Sequence, residues 1–303
     1  MWRRDKTGTV VSPADVVTQA PLSGDTLSVP AAGSSGPIIK AEKVAFGYTQ
    51  DKLVLRDISF EVSAGEVLMI LGSNGCGKST LMRLLLNDKQ TAGGRILLDG
   101  TELRELSPLE ISRRVAMVFQ DHKAPFPYDV IDVVAMGRTP YLSAFATPRA
   151  RDMRICEDAL ESVGMMHLAH KPYTQISGGE RQMVLIARAL AQETPLIMMD
   201  EPTSHLDYRN AAIVIQTANR LASEQNKAVV MVTHLPDQAF YYPSKAALME
   251  HGRFFAFGPS REVLTEANLT RTYSMQIKVL TAVDETTGQE HIMCKPVPES
   301  IRP

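Results

Sequence analysis

A glycine-rich run follows an apolar segment and precedes a helical pattern, and its spacing is that of a phosphate-binding loop. It fits G-x-x-x-x-G-K-[ST] and consists of Gly72, Ser73, Asn74, Gly75, Cys76, Gly77, Lys78, Ser79 and Thr80. Glycines let backbone N–H groups point at a β-phosphate, and a helix N-terminus adds a partial charge of ~+0.5. Lys78 is expected to reach the β- and γ-phosphates, and the Ser79 hydroxyl to ligate Mg²⁺. The run predicts a nucleotide site, in which Cys76 is a tolerated small residue and not a nucleophile.

Two acidic residues follow a short apolar segment further along the chain. Residues 196–199 read LIMM and lead directly into Asp200 and Glu201. Asp200 is suited to hold Mg²⁺ through water, and Glu201 is suited to polarise an attacking water. Help of that kind from a general base is worth ~10²–10⁴ in rate. An acidic pair alone is usually solvated surface, but here it accompanies a phosphate loop, so we interpret it as catalytic.

Strands must bring these residues together. Three apolar segments, 66–71, 196–199 and 228–232, each end in polar residues, the last of them in Thr233 and His234. This pattern is typical of buried strands in an α/β sheet whose site lies beyond the strand C-termini. Residues 38–48 and 53–62 instead alternate apolar and polar side chains, which predicts half-buried antiparallel strands.

The composition changes along the chain and predicts three parts. Residues 1–36 are rich in Pro, Gly and Ser toward their end and are expected to form a flexible arm. Residues 37–265 are expected to form one domain, with a helical subdomain inserted at about 122–175, and residues 266–303 a C-terminal extension. The inserted helix is indicated by one apolar stripe at spacings of three and four, formed by Met153, Cys156, Leu160 and Val163.

Charge, cysteine content and hydropathy exclude several classes of protein. The 32 Lys and Arg nearly balance the 34 Asp and Glu, so the chain has no basic excess for nucleic acid. Three cysteines without a CxxC pair argue against a disulfide framework or a zinc ribbon and favour a reducing compartment. No stretch approaches the ~18 consecutive apolar residues of a membrane span, and no apolar signal segment follows the N-terminal charges. We therefore expect a cytoplasmic protein.

Residues 176–182, ISGGERQ, open a helical pattern and resemble the signature of the ATP-binding-cassette (ABC) ATPases. The resemblance spans about 38–265, and seven motifs follow one another in the family's order. They are the A-loop aromatic Tyr48, the phosphate loop, the Q-loop residue Gln120, the signature, the acidic pair, the D-loop 204–207 and the switch histidine His234. The implied fold is α/β, a P-loop NTPase (RecA-like) core sheet with an antiparallel β subdomain and an inserted α-helical subdomain.

The resemblance also implies roles for residues that are ordinary when taken alone. Tyr48 would be a strand-edge aromatic, Gln120 a common amide and His234 a structural histidine, but the family implies adenine stacking, contact with Mg²⁺ and water, and orientation of Glu201. It implies further that the signature serves the ATP of a second copy, so that two ATPs lie between two head-to-tail chains. The residues expected to contact nucleotide then also include Ser177, Gly178, Gly179, Glu180 and Asp207.

The chain departs from the family pattern at two positions. Ile176 replaces the usual leucine of the signature, a change of similar volume that should matter little. His205 lies in the D-loop, where a small residue is frequent, and places a titratable group near the expected interface between chains. We interpret His205 as a spacer.

Residues 124–152 resemble the corresponding segment of vitamin B12, iron-siderophore and haem importers, and residues 200–207 and 233–239 fit the same group, including its molybdate/tungstate-type members. The resemblance implies an ATPase subunit on the inner face of the cell membrane, with two integral membrane permease subunits and, indirectly, an extracellular substrate-binding protein. A rigid turn is expected to contact the permease, and it contains Pro125, Phe126, Pro127 and Tyr128. The alternative is a soluble, non-transport ABC ATPase such as an iron–sulfur assembly scaffold. Because the transported substrate never touches this subunit, the sequence does not distinguish a metal chelate from a metal oxyanion.

Overall fold

The computed structural model describes residues 36–49, 52–120, 127–143, 146–204, 206–241, 244–284 and 290–297. These residues all belong to one compact unit, Gly36–Pro303. Apart from Gly36, the predicted arm lies outside the described residues. The same is true of His205 and of the first two residues of the predicted permease-contacting turn, Pro125 and Phe126.

The described strands are β1 Ile39–Thr49, β2 Lys52–Val62, β3 Val67–Gly72, β4 Gly93–Leu98, β5 Thr101–Glu102, β6 Val115–Val118, β7 Leu196–Asp200, β8 Ala228–Val232, β9 Lys245–Glu250, β10 Arg253–Pro259, β11 Ile277–Val283 and β12 Glu290–Pro296. The described α-helices are α1 Lys78–Leu85, α2 Pro108–Ser112, α3 Val130–Ala135, α4 Ala150–Ser162, α5 Gly178–Ala191, α6 Tyr208–Ser223, α7 Ser260–Val263 and α8 Glu266–Tyr273. Short 3₁₀ helices lie between several of them, including Pro236–Phe240 directly after β8.

The main sheet has the order β10-β9-β3-β8-β7-β6, and its strands are parallel except for the edge strand β10. Every residue of β3 and β8 is buried, as predicted for central strands. Val67, Met69 and Leu71 of β3 face one hydrophobic core, while Leu68 and Ile70 face the other. Because parallel strands end at the same edge, the C-terminal ends of β3, β7 and β8 lie side by side.

A smaller sheet, of order β2-β1-β4-β5, is antiparallel and confirms the alternating pattern read at the start of the domain. Its buried residues share one core with α1, on one face of the main sheet. Helices α5 and α6 contribute to the core on the other face. The main sheet is therefore covered on both sides, and the predicted α/β class is confirmed.

Helices α3, α4 and α5 pack against one another between β6 and β7, at the position of the predicted helical insertion. The predicted stripe on α4 faces inward, since Cys156 and Leu160 are fully buried and Met153 packs against the same core. Buried Arg138 pairs with Asp152 at 3.1 Å and Glu193 at 2.7 Å, which ties this region to the end of α5. The exact boundaries of the insertion and of the extension stay predictions.

The described part of the C-terminal extension contains α8 and an antiparallel hairpin of β11 and β12. The apolar residues of 277–283 and 290–296 do not alternate regularly with polar ones, and we predicted only an extension here. Ile277 is buried in the core beside α6, and Cys294 packs partly against the same core. No helix among the described residues is long and apolar enough to cross a membrane.

Candidate nucleotide site

The predicted phosphate loop joins β3 to α1. Gly77 is the N-cap of α1 and has φ +117°, a left-handed conformation that favours glycine, and a Cβ there would lie 2.7 Å from the Leu55 side chain. The N-terminus of α1 therefore begins without a capping side chain, and its N–H groups face the loop. Lys78 is only 6% exposed, and its Nζ donates to the carbonyls of Gly72 at 2.7 Å and Ser73 at 3.1 Å. This arrangement places a fixed ammonium charge and a helix N-terminus at one loop.

Asp200 ends β7 next to the phosphate loop. Burial raises the pKa of its carboxyl, and the neighbouring charge of Glu201 raises that pKa further. The Lys78 ammonium and a hydrogen bond with Ser79 lower the pKa but do not cancel the effect of burial. A hydroxyl and a carboxylate thus lie together at this end of the sheet, and both are oxygen ligands suited to a hard cation.

The described residues contain no cluster of three or more His, Cys, Asp or Glu side chains able to hold a metal ion. Mg²⁺ is commonly bound through one or two carboxylates together with nucleotide phosphates and water. The oxygen donors of Ser79 and Asp200 fit that mode of binding, whereas they would not form a complete protein cage.

Glu201, Gln120 and His234 converge although they come from different parts of the chain. The Nδ1 of His234 lies 3.4 Å from Oε2 of Glu201, and Nε2 of Gln120 donates to the same oxygen at 3.4 Å. The sequence predicted these three residues at one site, and the structure brings them together.

The backbone of Glu201 is left-handed, with φ +46°. This conformation costs a residue with a side chain about 1–3 kcal/mol and persists only where the surroundings hold it. Two hydrogen bonds do so: its N–H donates to the Val232 carbonyl at 3.0 Å, and its carbonyl accepts from the Ser204 hydroxyl at 2.8 Å. The first of these bonds fastens Glu201 to the end of β8, beside the segment that carries His234.

Tyr48 lies near the end of β1 and is 58% exposed. Its hydroxyl is 3.3 Å from the Thr80 hydroxyl, and its ring meets Phe46 edge to face with centroids 5.0 Å apart. The ring thus stands beside the phosphate loop with exposed surface, as expected of an aromatic residue that could stack on a base.

The signature residues lie at the start of α5, as predicted. Ser177 is the N-cap, and it forms a reciprocal capping box in which its hydroxyl accepts from the Glu180 N–H while the Glu180 carboxylate accepts from the Ser177 N–H. A Cβ at Gly179 would lie 2.4 Å from Nδ2 of Asn210, so a larger residue there would displace the Asn210 side chain.

Asn210 connects the signature to the predicted D-loop. Asp207 is the N-cap of α6 and accepts from the backbone N–H of Asn210 at 2.8 Å and from its side chain at 2.9 Å. The structure therefore brings Gly179 and Asp207 into one cluster, joined by an asparagine that sequence reasoning did not single out. No local motif marks Asn210, because its partner Gly179 is distant in the chain.

Cys76 is buried beneath the phosphate loop, next to Gly72. Burial raises the pKa of its thiol above the usual range, so the thiolate needed for nucleophilic attack is disfavoured. This environment agrees with the interpretation of Cys76 as a packing residue.

Comparisons with known proteins match most of the described chain. The sequence model for the ABC transporter family matches residues 55–204. The molybdate import ATP-binding protein MolC of Haemophilus influenzae is 37% identical over 237 residues, which cover 78% of this chain and 88% of that protein. The hemin import ATP-binding protein HmuV of Nocardia farcinica is 36% identical over 284 residues, which cover 91% and 93%.

A solved structure described as a metal-chelate type ABC transporter in an inward-facing conformation is also similar. It superposes with a TM-score of 0.78 at 34% identity and covers 88% of this chain and 100% of that one. The similarity therefore extends over the fold as well as the motifs.

Proposed function

Because the chain belongs to the ABC transporter family of ATPases, we propose that it is the ATP-binding and ATP-hydrolysing subunit of an importer. The observation that carries this proposal is the extent of similarity to import ATP-binding proteins, which reaches 93% of the length of the hemin relative. Similarity confined to the phosphate loop would indicate only a nucleotide-binding protein. Here it extends over 91% of this chain and so includes the helical region between β6 and β7.

Nucleotide binding in this proposal is performed by Tyr48, the phosphate loop and the residues that would hold Mg²⁺. Tyr48 stacks on adenine, the backbone of 72–80 surrounds the β-phosphate, and Lys78 moves its ammonium from the loop carbonyls to the phosphates. Ser79, Asp200 and Gln120 would hold Mg²⁺, which when bound offsets phosphate charge. The partly buried carboxyl of Asp200, with its raised pKa, would then be stabilised in its charged form by a cation beside it.

Hydrolysis is assigned to Glu201, with His234 and Gln120 beside its carboxylate. Glu201 accepts a proton from the attacking water, and His234 orients the carboxylate through the contact between Nδ1 and Oε2. Gln120 contacts the same oxygen and so reports the state of the site to the helical region that follows it.

The second copy of the chain completes each site. The start of α5, with Ser177, Gly178, Gly179 and Glu180, presents helix N–H groups that suit an anion, while the phosphate loop already surrounds one nucleotide. In a head-to-tail dimer these groups contact the γ-phosphate of the partner's ATP, and Asp207 lies beside them. Two ATPs then hold the dimer closed, and hydrolysis releases it.

We place the chain on the inner face of the cell membrane, bound to two integral permease subunits. The proposed contact lies on the helical region, where Tyr128 is exposed just after the undescribed residues 121–126. An extracellular binding protein would supply substrate to the permease. The near balance of charges in the sequence gives no support to a nucleic-acid partner.

The substrate proposed is a metal chelate such as an iron-siderophore, haem or cobalamin, or a metal oxyanion such as molybdate or tungstate. Relatives named for molybdate and hemin import support both classes equally. If a substrate-binding protein is encoded beside this gene, its ligand would decide between them. Titration of that binding protein with haem and with molybdate measures the choice directly.

Substitution of Glu201 and Lys78 tests the assigned chemistry. Glu201→Gln should keep ATP binding, reduce turnover by at least about 100-fold and trap an ATP-bound dimer, because only the proton acceptor is lost. Lys78→Ala should lose nucleotide binding, because its charge faces the phosphates. Wild-type hydrolysis by Glu201→Gln would refute the role of Glu201.

Capture of the membrane partner separates the importer from a soluble, non-transport ABC ATPase. The tagged chain is expressed with its neighbouring genes, and detergent extracts are purified through the tag. An importer subunit should retain integral membrane proteins in a 2:2 complex. Recovery of a purely soluble complex would instead favour an iron–sulfur assembly scaffold or a similar protein.

A further inference from the structure

A buried amide joins the two segments that carry Glu201 and His234. The Thr233 hydroxyl donates to Oε1 of Gln238 at 2.8 Å, and Nε2 of Gln238 donates to the Thr203 hydroxyl at 2.9 Å. These three side chains are 1%, 5% and 5% exposed, respectively. Water therefore does not replace these hydrogen bonds when they are lost.

The position of this bridge in the chain gives it a direct link to the site. Thr233 immediately precedes His234, and Thr203 follows Glu201 by two residues. The Thr233 hydroxyl also accepts from the Leu235 N–H at 3.1 Å, so it closes the turn around His234. One side chain thus fixes the strand-end turn of β8 against the turn that follows β7.

The bridge lies next to Glu201, whose backbone conformation is unfavourable and must be held by its neighbours. Glu201 is held in its left-handed conformation by neighbours at the end of β8 and in the turn after β7. Gln238 connects the turn after β7 to the end of β8, because it forms hydrogen bonds with Thr203 in that turn and with Thr233 at the end of β8. The bridge adds a side-chain link to the backbone hydrogen bond from Glu201 to Val232, and it supports the separation of 3.4 Å between His234 and Glu201.

We propose that Gln238 is a positioning residue for ATP hydrolysis, which sets the placement of His234 relative to Glu201 through Thr233 and Thr203. This inference rests on the proposed roles of Glu201 and His234. The two side-chain hydrogen bonds of Gln238 go to Thr233 and Thr203, neither of which belongs to the phosphate loop. Its loss should therefore change the hydrolytic step and leave ATP binding intact.

The primary test is Gln238→Met in the full-length chain, since methionine keeps a similar volume and removes both hydrogen bonds. The expected kcat for ATP hydrolysis falls about 10- to 100-fold, because small displacements of catalytic groups have effects of that size. The KM for ATP and the affinity of an ATP analogue should stay within about twofold of wild type. In hydrogen exchange, amides of residues 233–241 should exchange faster, with the remainder of the sheet unchanged.

A control comes from Gln192, a partly buried amide whose side chain also makes two hydrogen bonds. It donates to the carbonyls of Ser112 at 2.5 Å and Val115 at 2.9 Å, away from the site. Gln192→Met should lower thermal stability to a similar extent without a comparable loss of kcat. An equal loss of kcat in both variants would show a general effect of stability and overturn the proposal.

A second variant tests the path through Thr203. Thr203→Val should lower kcat on its own, and the double variant with Gln238→Met should lose little more than the worse single variant, because both interrupt one bridge. Multiplicative losses, or wild-type kcat in Gln238→Met, would overturn the proposal. Failure of the proposed function is distinguishable, because it appears as unaltered hydrolysis in Glu201→Gln irrespective of the result at Gln238.

Discussion

Asp200 and Glu201 are adjacent carboxylates in different surroundings. Asp200 is partly buried beside Ser79 and Lys78, and its pKa is raised mainly by that burial, whereas Glu201 leaves the strand with a left-handed backbone and faces His234. Environment rather than residue type separates the tasks of such pairs. We therefore expect that exchanging either acid for its amide will have a different signature.

Asp200→Asn should make the metal-free protein more stable at neutral pH and abolish Mg²⁺-dependent hydrolysis. Since the folded pKa of Asp200 is raised, its contribution to stability is present at low pH and declines as the pH rises through that pKa. The gain in Tm from Asn should thus be a few degrees at pH 7 and smaller at pH 4. Thermal unfolding in EDTA at the two pH values measures it, and a gain larger at pH 4 would contradict the argument.

Sequence reasoning found the residues that local motifs mark and missed those that act across the fold. The phosphate loop is a continuous motif whose spacing indicates its chemistry, whereas the acidic pair and the signature gain their roles from that loop and from the family resemblance. Gln238 and Thr203 are 35 residues apart and meet only because β7 and β8 are neighbours in the sheet. Their contact depends on strand order, which residue spacing does not encode.

Helices α2 and α5 begin with the same capping box, although only α5 carries the signature residues. Ser107 and Glu110 cap α2, and Ser177 and Glu180 cap α5. The capping contacts are nearly identical, since each serine hydroxyl accepts from the glutamate N–H at 3.3 Å. The pair therefore offers a natural comparison of a structural cap with one that also belongs to a proposed nucleotide contact.

Ser177→Ala and Ser107→Ala should each destabilise the fold by about 1 kcal/mol, the usual cost of losing such a cap. That cost corresponds to roughly 2–4 °C in Tm for a protein of this size. Only Ser177→Ala should also lower ATP-dependent dimerisation and hydrolysis. Calorimetry and steady-state hydrolysis on both variants test this, and equal hydrolysis by the two would argue against a role of Ser177 in the partner's site.

The sequence predicted the uniformly buried strand β8 better than the mostly exposed strands β11 and β12 near the C-terminus. Residues 228–232 form a strand with the expected bounds because a wholly apolar run fits only the centre of the sheet. The hairpin of β11 and β12 escaped prediction, since its strands mix charged and apolar residues on a partly exposed surface. Its position depends on contacts of β11 with α8 and of β12 with the 3₁₀ helix Pro236–Phe240, which no local pattern encodes.

The cluster of Gly179, Asn210 and Asp207 is a second candidate contact region of the molecule, formed by residues other than those of the phosphate loop. Asn210 fills the space that a Cβ at residue 179 would need, so the starts of α5 and α6 meet at one edge. Such an edge suits the proposed contact with another chain. The catalytic unit would then be two copies of this protein.

Hydrolysis per chain should consequently rise with protein concentration and approach a plateau, because each complete site needs residues from two chains. Light scattering of Glu201→Gln with ATP should give about twice the mass of 33.3 kDa, whereas the protein without nucleotide should give the single mass. A rate per chain that is constant over a wide range of dilution, with a monomeric mass throughout, would contradict this prediction.

Because the backbone of Glu201 is left-handed, a substitution at this one position can raise thermostability while it removes activity. Glycine at residue 201 would remove about 1–3 kcal/mol of conformational cost. The resulting protein would be more stable but would no longer hydrolyse ATP. Selection for heat resistance alone would favour such a replacement, while selection for uptake would remove it. Directed evolution of this protein should therefore score turnover in every round.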